Sequence, residues 1–394
     1  MIGGSLAATG APRAPGDRRE DATDTHDIVI PSHLLPADGR FGSGPSKVRP
    51  EAVAALHRDA SDYLGTSHRR DRVRSVVRRL REGLARLFDL PDGYEVVLGN
   101  GGAAFFWDAL VLGLVERRSQ HLVFGEFSSK LARAAEVAPH LHEPEVIESE
   151  PGTHPVARPS PGVDLYALTH NETSTGVAMP VTRVPGGLTT VDATSAAGGL
   201  RVDARAFDVY YFAPQKCFAS DGGLWIALVS PAAIERIERI RASGRHIPSC
   251  LDLSLALQSS RRDETFNTPA LATLFLMLEQ LEWMLANGGL EWAARRCERS
   301  AGILYGWAEA HPLARPFVAD PAARSPVVAT VDFDPAVDAA AIARVLRDNG
   351  VVDTEPYRKL HRNQLRVGLY PAIEPEDVAA LTRSIDYTID ALEG

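Results

Sequence analysis

The strongest periodicity in the chain lies between residues 71 and 87. There Val73, Val77, Leu80, Leu84 and Leu87 recur at intervals of three and four, with Arg72, Arg74, Arg78, Arg79 and Arg81 on the other side. That spacing predicts an amphipathic helix with an apolar stripe for a core and a basic, solvated face. A second stripe, Val378, Leu381, Ile385, Ile389 and Leu392, follows Pro375 and predicts a C-terminal helix. Between the two, β-rich runs at 94–99, 121–125, 144–148, 164–169, 187–192, 207–212 and 223–229 alternate with helical stretches at 104–115, 126–137 and 231–242. Such alternation predicts a mostly parallel sheet covered by helices, an α/β fold. Phe266-Asn267-Thr268-Pro269 then opens a long apolar helix, with Thr268 as N-cap and Pro269 at the first position, that closes at Gly288-Gly289.

Beyond that point the pattern changes to a helix at 290–310, a strand at 326–332, a helix at 336–346, a strand at 363–369 and the terminal helix. This is the pattern of a smaller α+β domain. The expected division is therefore an extension at 1–28, an N-terminal segment with the large domain at 29–288, and a small C-terminal domain at 289–394. The extension lacks periodicity and is expected to be disordered. The stretch from about 29 to 50 is a candidate to join the small domain.

A chain of 394 residues with 45% apolar content exceeds the usual span of one domain. Its net charge of −9 argues against a nucleic-acid partner. No apolar run approaches the roughly 20 residues that span a bilayer, and the polar N-terminus lacks a signal-like apolar core. No membrane association and a cytoplasmic location are expected. Cys217, Cys250 and Cys297 form neither a disulfide framework nor a CxxC pattern. His140-Leu141-His142-Glu143 has no further ligand at suggestive spacing, so no metal is expected.

The chemistry centres on Lys216. The apolar run Val209-Tyr210-Tyr211-Phe212 is stopped by Pro214, which places Lys216 on a loop at a strand end. Only four lysines occur (Lys47, Lys130, Lys216 and Lys359), and arginine cannot serve where a deprotonatable amine is needed. An amine among apolar groups can lose its proton and carry pyridoxal 5'-phosphate as a Schiff base. That cofactor requires a carboxylate at its ring nitrogen, and Asp192 ends another β-branched run 24 residues earlier. A turn-capping Asp and a surface Lys are the plainer alternative for each residue alone; the ordered pair favours the cofactor. The strand at 94–99 leads through Asn100-Gly101-Gly102-Ala103 into a helix, either a phosphate cradle or a plain turn. His68 and Arg69 stand where the helix at 71 begins and could meet an anion. Ser43-Gly44-Pro45 is either a ligand-approaching loop or a tight turn.

With these residues in place, the sequence over about 38–392 resembles the phosphoserine aminotransferases, within the fold type I pyridoxal-phosphate enzymes. The resemblance implies a large domain with a mostly parallel central sheet and a smaller C-terminal α+β domain. It also implies a homodimer with active sites at the interface, and reversible amino transfer between L-glutamate and 3-phosphohydroxypyruvate to give 3-phospho-L-serine and 2-oxoglutarate. Lys216 in Ala213-Pro214-Gln215-Lys216 matches the family's Schiff-base lysine, Asp192 its pyridine-nitrogen carboxylate, and Thr173 in Asn171-Glu172-Thr173 the hydroxyl at the phenolic oxygen. Gly102, Ala103 and Gln215 match the cofactor-phosphate site, joined by Asn267 and Thr268 of the second subunit. Ser43 in Ser43-Gly44-Pro45 matches the substrate loop and Arg366 the arginine on the substrate α-carboxylate. His68 and Arg69 match the substrate-phosphate binders, with His361 and Arg362 as the second-subunit pair. Two departures stand out. Phe127 occupies the point where many relatives stack a tryptophan on the cofactor ring, and the segment from His361-Arg362 to Arg366 is shortened, which brings Tyr357, Arg358 and Lys359 into consideration. An alanine– or serine–glyoxylate or –pyruvate aminotransferase would not need the distal basic cluster. A sulfur-removing lyase would want a mobile cysteine.

Overall fold

The structure is a computed structural model and describes residues 28–393. The expected extension at 1–28 lies outside the described residues except for Ile28, which is buried in the smaller of the two main cores. The chain runs α1 (Pro50–Tyr63), α2 (Asp71–Leu87), β1 (Glu95–Asn100), α3 (Ala103–Gly113), β2 (Ser119–Val123), α4 (Glu126–Glu136), β3 (Glu145–Glu148) and β4 (Leu165–Thr169). A small hairpin of β5 (Asn171–Glu172) and β6 (Val177–Ala178) precedes β7 (Leu188–Asp192), β8 (Val209–Phe212) and β9 (Leu224–Val229). Then come α5 (Pro231–Ala242), α6 (Leu253–Ser260), α7 (Leu271–Ala286), α8 (Gly289–Ala310), β10 (Ala314–Pro316), β11 (Val328–Phe333), α9 (Ala339–Asp348), β12 (Gln364–Gly368) and α10 (Pro375–Glu393).

Seven strands form the central sheet in the order β1-β9-β8-β7-β4-β2-β3. From β8 to β3 every pairing is parallel, and β9 runs antiparallel to both its neighbours. Strands β4, β7, β8 and β9 are buried along their whole length, as strands covered on both faces must be, which is why they read as continuous apolar runs. Edge strand β3 alternates in exposure instead. The smaller core gathers α9, α10 and the antiparallel sheet β10-β11-β12. Helix α8 belongs to both cores: Ala293 and Cys297 pack in the large one, and Ala301, Leu304 and Ala308 in the small one.

One expectation is corrected and another extended. Thr268 does not cap α7, which starts at Leu271 after Ala270 with no side-chain cap. Tertiary bonds draw the segment elsewhere. The Asn267 N–H donates to Asn100 Oδ1, the Thr268 carbonyl accepts from Asn100 Nδ2, and the Thr268 hydroxyl meets His68 Nδ1 at 3.2 Å. The basic face of α2, in turn, is paired rather than merely solvated. Arg78 and Arg81 share Asp263 at 2.9 and 2.8 Å, Arg72 meets Asp59 and Arg79 meets Glu282.

One loop positions the site. Phe41 pairs its backbone with Val352 and Gly368, which carries Ser43-Gly44-Pro45 from the smaller core across the ends of the parallel strands. Gly368 permits this approach, since a Cβ there would lie 2.4 Å from the Gly42 carbonyl oxygen. Gly44, at φ 149°, is required for the same reason: its Cβ would fall on the Lys216 ammonium. Among the described residues no helix is long and apolar enough to cross a membrane, and no cluster of His, Cys, Asp and Glu is arranged to hold a metal.

Candidate active site

Strand β8 ends at Phe212, and the turn through Ala213-Pro214 delivers Gln215 and Lys216 just beyond the sheet's C-terminal edge. Lys216 is 8% exposed; its Nζ donates to the Ser43 carbonyl at 2.5 Å, and that oxygen also accepts from the Tyr370 hydroxyl at 2.7 Å. Burial lowers its pKa from 10.5 to about 8, and the Arg366 guanidinium pushes in the same direction. A substantial neutral fraction near physiological pH follows, which an exposed lysine lacks.

Asp192 terminates β7, in register with Tyr211 on β8. Its Oδ2 accepts from Trp107 Nε1 at 2.9 Å and from the Tyr211 hydroxyl at 3.2 Å, and its Oδ1 accepts from the Thr194 N–H at 2.9 Å. The carboxylate is thus fixed in place by neutral donors. Thr173 donates to Ser195 Oγ at 2.8 Å, as does Asn171 Nδ2. Arg366, on β12, reaches the Thr173 carbonyl at 3.2 Å, while its Nε is buried without a partner and burial lowers its pKa.

Lys216, Asp192, Thr173 and Asn171 share a cleft of about 550 Å³ lined also by Gly102, Ala103, Phe127 and Gln215, among others. It opens at the carboxyl ends of the parallel strands, where α/β sheets bind ligands. Gly102 is the N-cap of α3 and no side chain caps that helix; a Cβ on Gly102 would meet open space. The Gln215 side-chain oxygen is buried and unpartnered. An adjoining recess of about 230 Å³ holds Ser43, Glu355 and Arg366. Phe127, on the first turn of α4, is held from behind by Glu172. That buried carboxylate accepts from the Phe127 and Ser128 N–H groups and from both the N–H and the hydroxyl of Ser174.

The remaining expected residues lie outside this cleft within the single chain. His68 is buried with Nε2 unpartnered, Arg69 is largely exposed at 3.9 Å from Glu264, and Asn267 and Thr268 are exposed beside Asn100. His361 is exposed. Arg362 forks onto Asp332 and lies over Phe317. Sequence reasoning missed Trp107, Tyr211 and Ser195, whose polar atoms sit in otherwise apolar or small-residue runs that read as core. It also missed Lys130, which borders the cleft; the scarcity of lysine was the available signal. Cys217 is fully buried with its thiol pushed up by burial, which does not fit a mobile nucleophile, and Cys250 lies exposed in a turn after α5.

Residues 41–381 match the family described as aminotransferase class-V. A phosphoserine aminotransferase of a Nocardioides species is 60% identical over 373 residues, covering 93% of this chain and all of that one. Among solved structures, a phosphoserine aminotransferase from Cytophaga hutchinsonii superposes with a TM-score of 0.83 at 23% identity, covering 89% of this chain and 99% of that one. A phosphoserine aminotransferase from Trichomonas vaginalis, solved with pyridoxal phosphate bound, gives a TM-score of 0.74 at 17% identity, over 89% and 99% of the two chains.

Proposed function

The chain belongs to the class-V aminotransferase family, and from that premise we propose that it is a phosphoserine aminotransferase working with pyridoxal 5'-phosphate. The reaction is reversible amino transfer between L-glutamate and 3-phosphohydroxypyruvate, yielding 2-oxoglutarate and 3-phospho-L-serine. The observation that carries this reading is the pairing of a buried, low-pKa lysine with a fixed, un-neutralised aspartate across one cleft.

The residues fit the cofactor. Gly102, Ala103 and the unpartnered Gln215 side chain suit a phosphate, Thr173 a phenolic oxygen, Asp192 a protonated ring nitrogen and Phe127 a ring face. Bound pyridoxal phosphate supplies a carbonyl that condenses with an amine and a ring that withdraws electrons from the substrate α-carbon. Asp192, held by Trp107 and Tyr211, keeps the proton on the ring nitrogen. Lys216 takes the proton from the α-carbon and returns it, a task suited to an amine whose pKa lies near the working pH. Arg366 has a free Nε edge for the α-carboxylate, and two parallel N–H bonds there fix the orientation of the α-carbon.

The assembly belongs to the same proposal: a cytoplasmic homodimer whose second subunit brings Asn267 and Thr268 to the cofactor phosphate and His361 and Arg362 to the substrate. His68 and Arg69 read the substrate phosphate. The exposure of Asn267, Thr268 and Arg69 and the unpartnered His68 Nε2 support roles beyond the single chain. Visible absorption that shifts on adding glutamate tests the cofactor chemistry. Catalytic efficiency of wild type and Arg69→Ala with 3-phosphohydroxypyruvate and with pyruvate tests the substrate. A selective loss of about ten- to hundredfold on the phosphorylated acceptor is expected, and equal loss on both refutes the phosphate assignment.

A further inference from the structure

Arg366 is held on one edge and one face. Beyond its bond to the Thr173 carbonyl, its guanidinium carbon lies 5.3 Å from the centroid of the Tyr357 ring. The same ring meets Phe127, with centroids 5.9 Å apart and planes at 62°. Tyr357 is half-buried and lines neither the main cleft nor the recess beside it. Phe127 stands on α4 and lines the cleft, and Arg366 stands on β12 of the three-stranded sheet and lines the adjoining recess, so a single ring bridges the two. The segment is anchored a second time two residues later, where Lys359 Nζ donates to Glu126 at 2.5 Å. Glu126 also takes Lys130 at 3.2 Å.

We propose that Tyr357 is a positioning residue for carboxylate recognition, its ring setting the plane of the Arg366 guanidinium and its distance from Phe127. The inference rests on the reading of Arg366 as the carboxylate-binding group. A guanidinium with one N–H bonded and Nε free retains rotation about its long side chain. A bidentate fork requires that rotation to be stopped in one plane. The face of an aromatic ring stops it without occupying any N–H, which a hydrogen-bonding neighbour would do. The edge contact with Phe127 ties that plane to the aromatic wall of the cleft.

The test compares wild type, Tyr357→Leu, Tyr357→Phe and Lys359→Ala as holoenzymes. Glutarate, an unreactive dicarboxylate, is titrated calorimetrically, and KM and kcat are measured for glutamate. Tyr357→Leu is expected to weaken glutarate binding and raise the KM for glutamate by about tenfold with kcat within about twofold. Tyr357→Phe keeps the ring and is expected to bind like wild type, and Lys359→Ala, which loses only an exposed ion pair, to stay within about twofold. Unchanged glutarate binding in Tyr357→Leu overturns the proposal. So does a failure of Tyr357→Phe to restore binding, or an equal loss in Lys359→Ala, which would assign the effect to docking of the segment. Should Tyr357→Leu not fold, Tyr357→Met carries the same comparison. A wild type that neither binds glutarate nor responds spectrally to glutamate refutes the underlying reading of the cleft, before any variant is compared.

Discussion

Three buried aspartates sit at opposite ends of the same parallel strands and are treated differently. Asp164 precedes β4 and Asp208 precedes β8, at the amino ends of the strands; Asp192 closes β7 at the carboxyl end. Asp164 accepts from the N–H groups of Glu116, Arg117 and Arg118 and is paired with Arg236 at 3.1 Å. Asp208 accepts from the Thr189 N–H and the Ser230 hydroxyl and is paired with Arg183 at 2.7 Å. Each brings its own cation. Asp192 is as buried as they are, yet its hydrogen bonds come from an indole, a phenol and a backbone amide, and among the described residues no lysine or arginine is ion-paired with it. A buried carboxylate that is oriented but not neutralised is costly unless a cation arrives from outside. At the amino ends the sheet pairs its aspartates with arginines; at the carboxyl end it holds one by neutral donors alone, which is the arrangement the proposed cofactor site requires.

The sharpest way to break this contrast is to remove the cleft's amine. Lys216→Ala is expected to lower kcat by about 10⁴ or more, through loss of the proton-transferring group, with the fold retained by circular dichroism. Borohydride reduction should label the Lys216 peptide in wild type; label on Lys47, Lys130 or Lys359 contradicts the assignment. Next in size is the exchange of aspartates. Asp192→Asn should reduce kcat by roughly 10²–10³ while the KM for glutamate moves little. Asp164→Asn should do the reverse, costing about 3 kcal/mol in denaturant unfolding by removing the buried charge that Arg236 and three backbone N–H groups meet and leaving kcat of the folded protein near wild type. Loss of turnover without loss of stability in Asp164→Asn would erase the distinction.

A smaller effect sharpens it by pH. Lys216 has its pKa lowered in the folded chain from 10.5 to about 8. Between those values the unfolded state binds the proton and the folded state releases it, so stability rises with pH across that window. The penalty is fully present below about pH 8 and gone above about 10.5. Cofactor-free wild type should therefore gain roughly 2–3 kcal/mol relative to Lys216→Met from pH 8 to 10.5, read from parallel urea titrations; a constant difference would place the amine in water. The smallest change belongs to the paired surface of α2. Arg79→Ala, which breaks an exposed pair with Glu282, should shift stability by less than about 0.5 kcal/mol in the same titration.

Elements with a long stripe or a strict alternation of strand and helix were legible in the sequence: α2, α5, α10 and the parallel core of the sheet. Lys216 and Asp192 stood out in the sequence because each stands where an apolar run stops, and the fold brings both to the lining of one cleft. Trp107 and Tyr211 were not, since an aromatic inside an apolar run gives no sign of where its N–H or O–H points until the fold brings Asp192 to it. Short α6, at eight residues, offered too little periodicity, and β10 and the β5–β6 hairpin were shorter still. Thr268 misled because a threonine before proline is a sound local capping signal. The bonds that override it come from Asn100 and His68, 168 and 200 residues away in the chain.

Helix α8, shared between the two cores, is expected to couple the molecule's two lobes in unfolding. Melting the small lobe would fray the half of the helix that carries Ala301, Leu304 and Ala308. The strand of turns left behind would still have Ala293 and Cys297 buried in the large lobe and would lose the hydrogen bonds that continue through them. Heat should therefore find one transition rather than two, and a fragment cut at Gly288 would inherit an apolar face that its own lobe cannot cover.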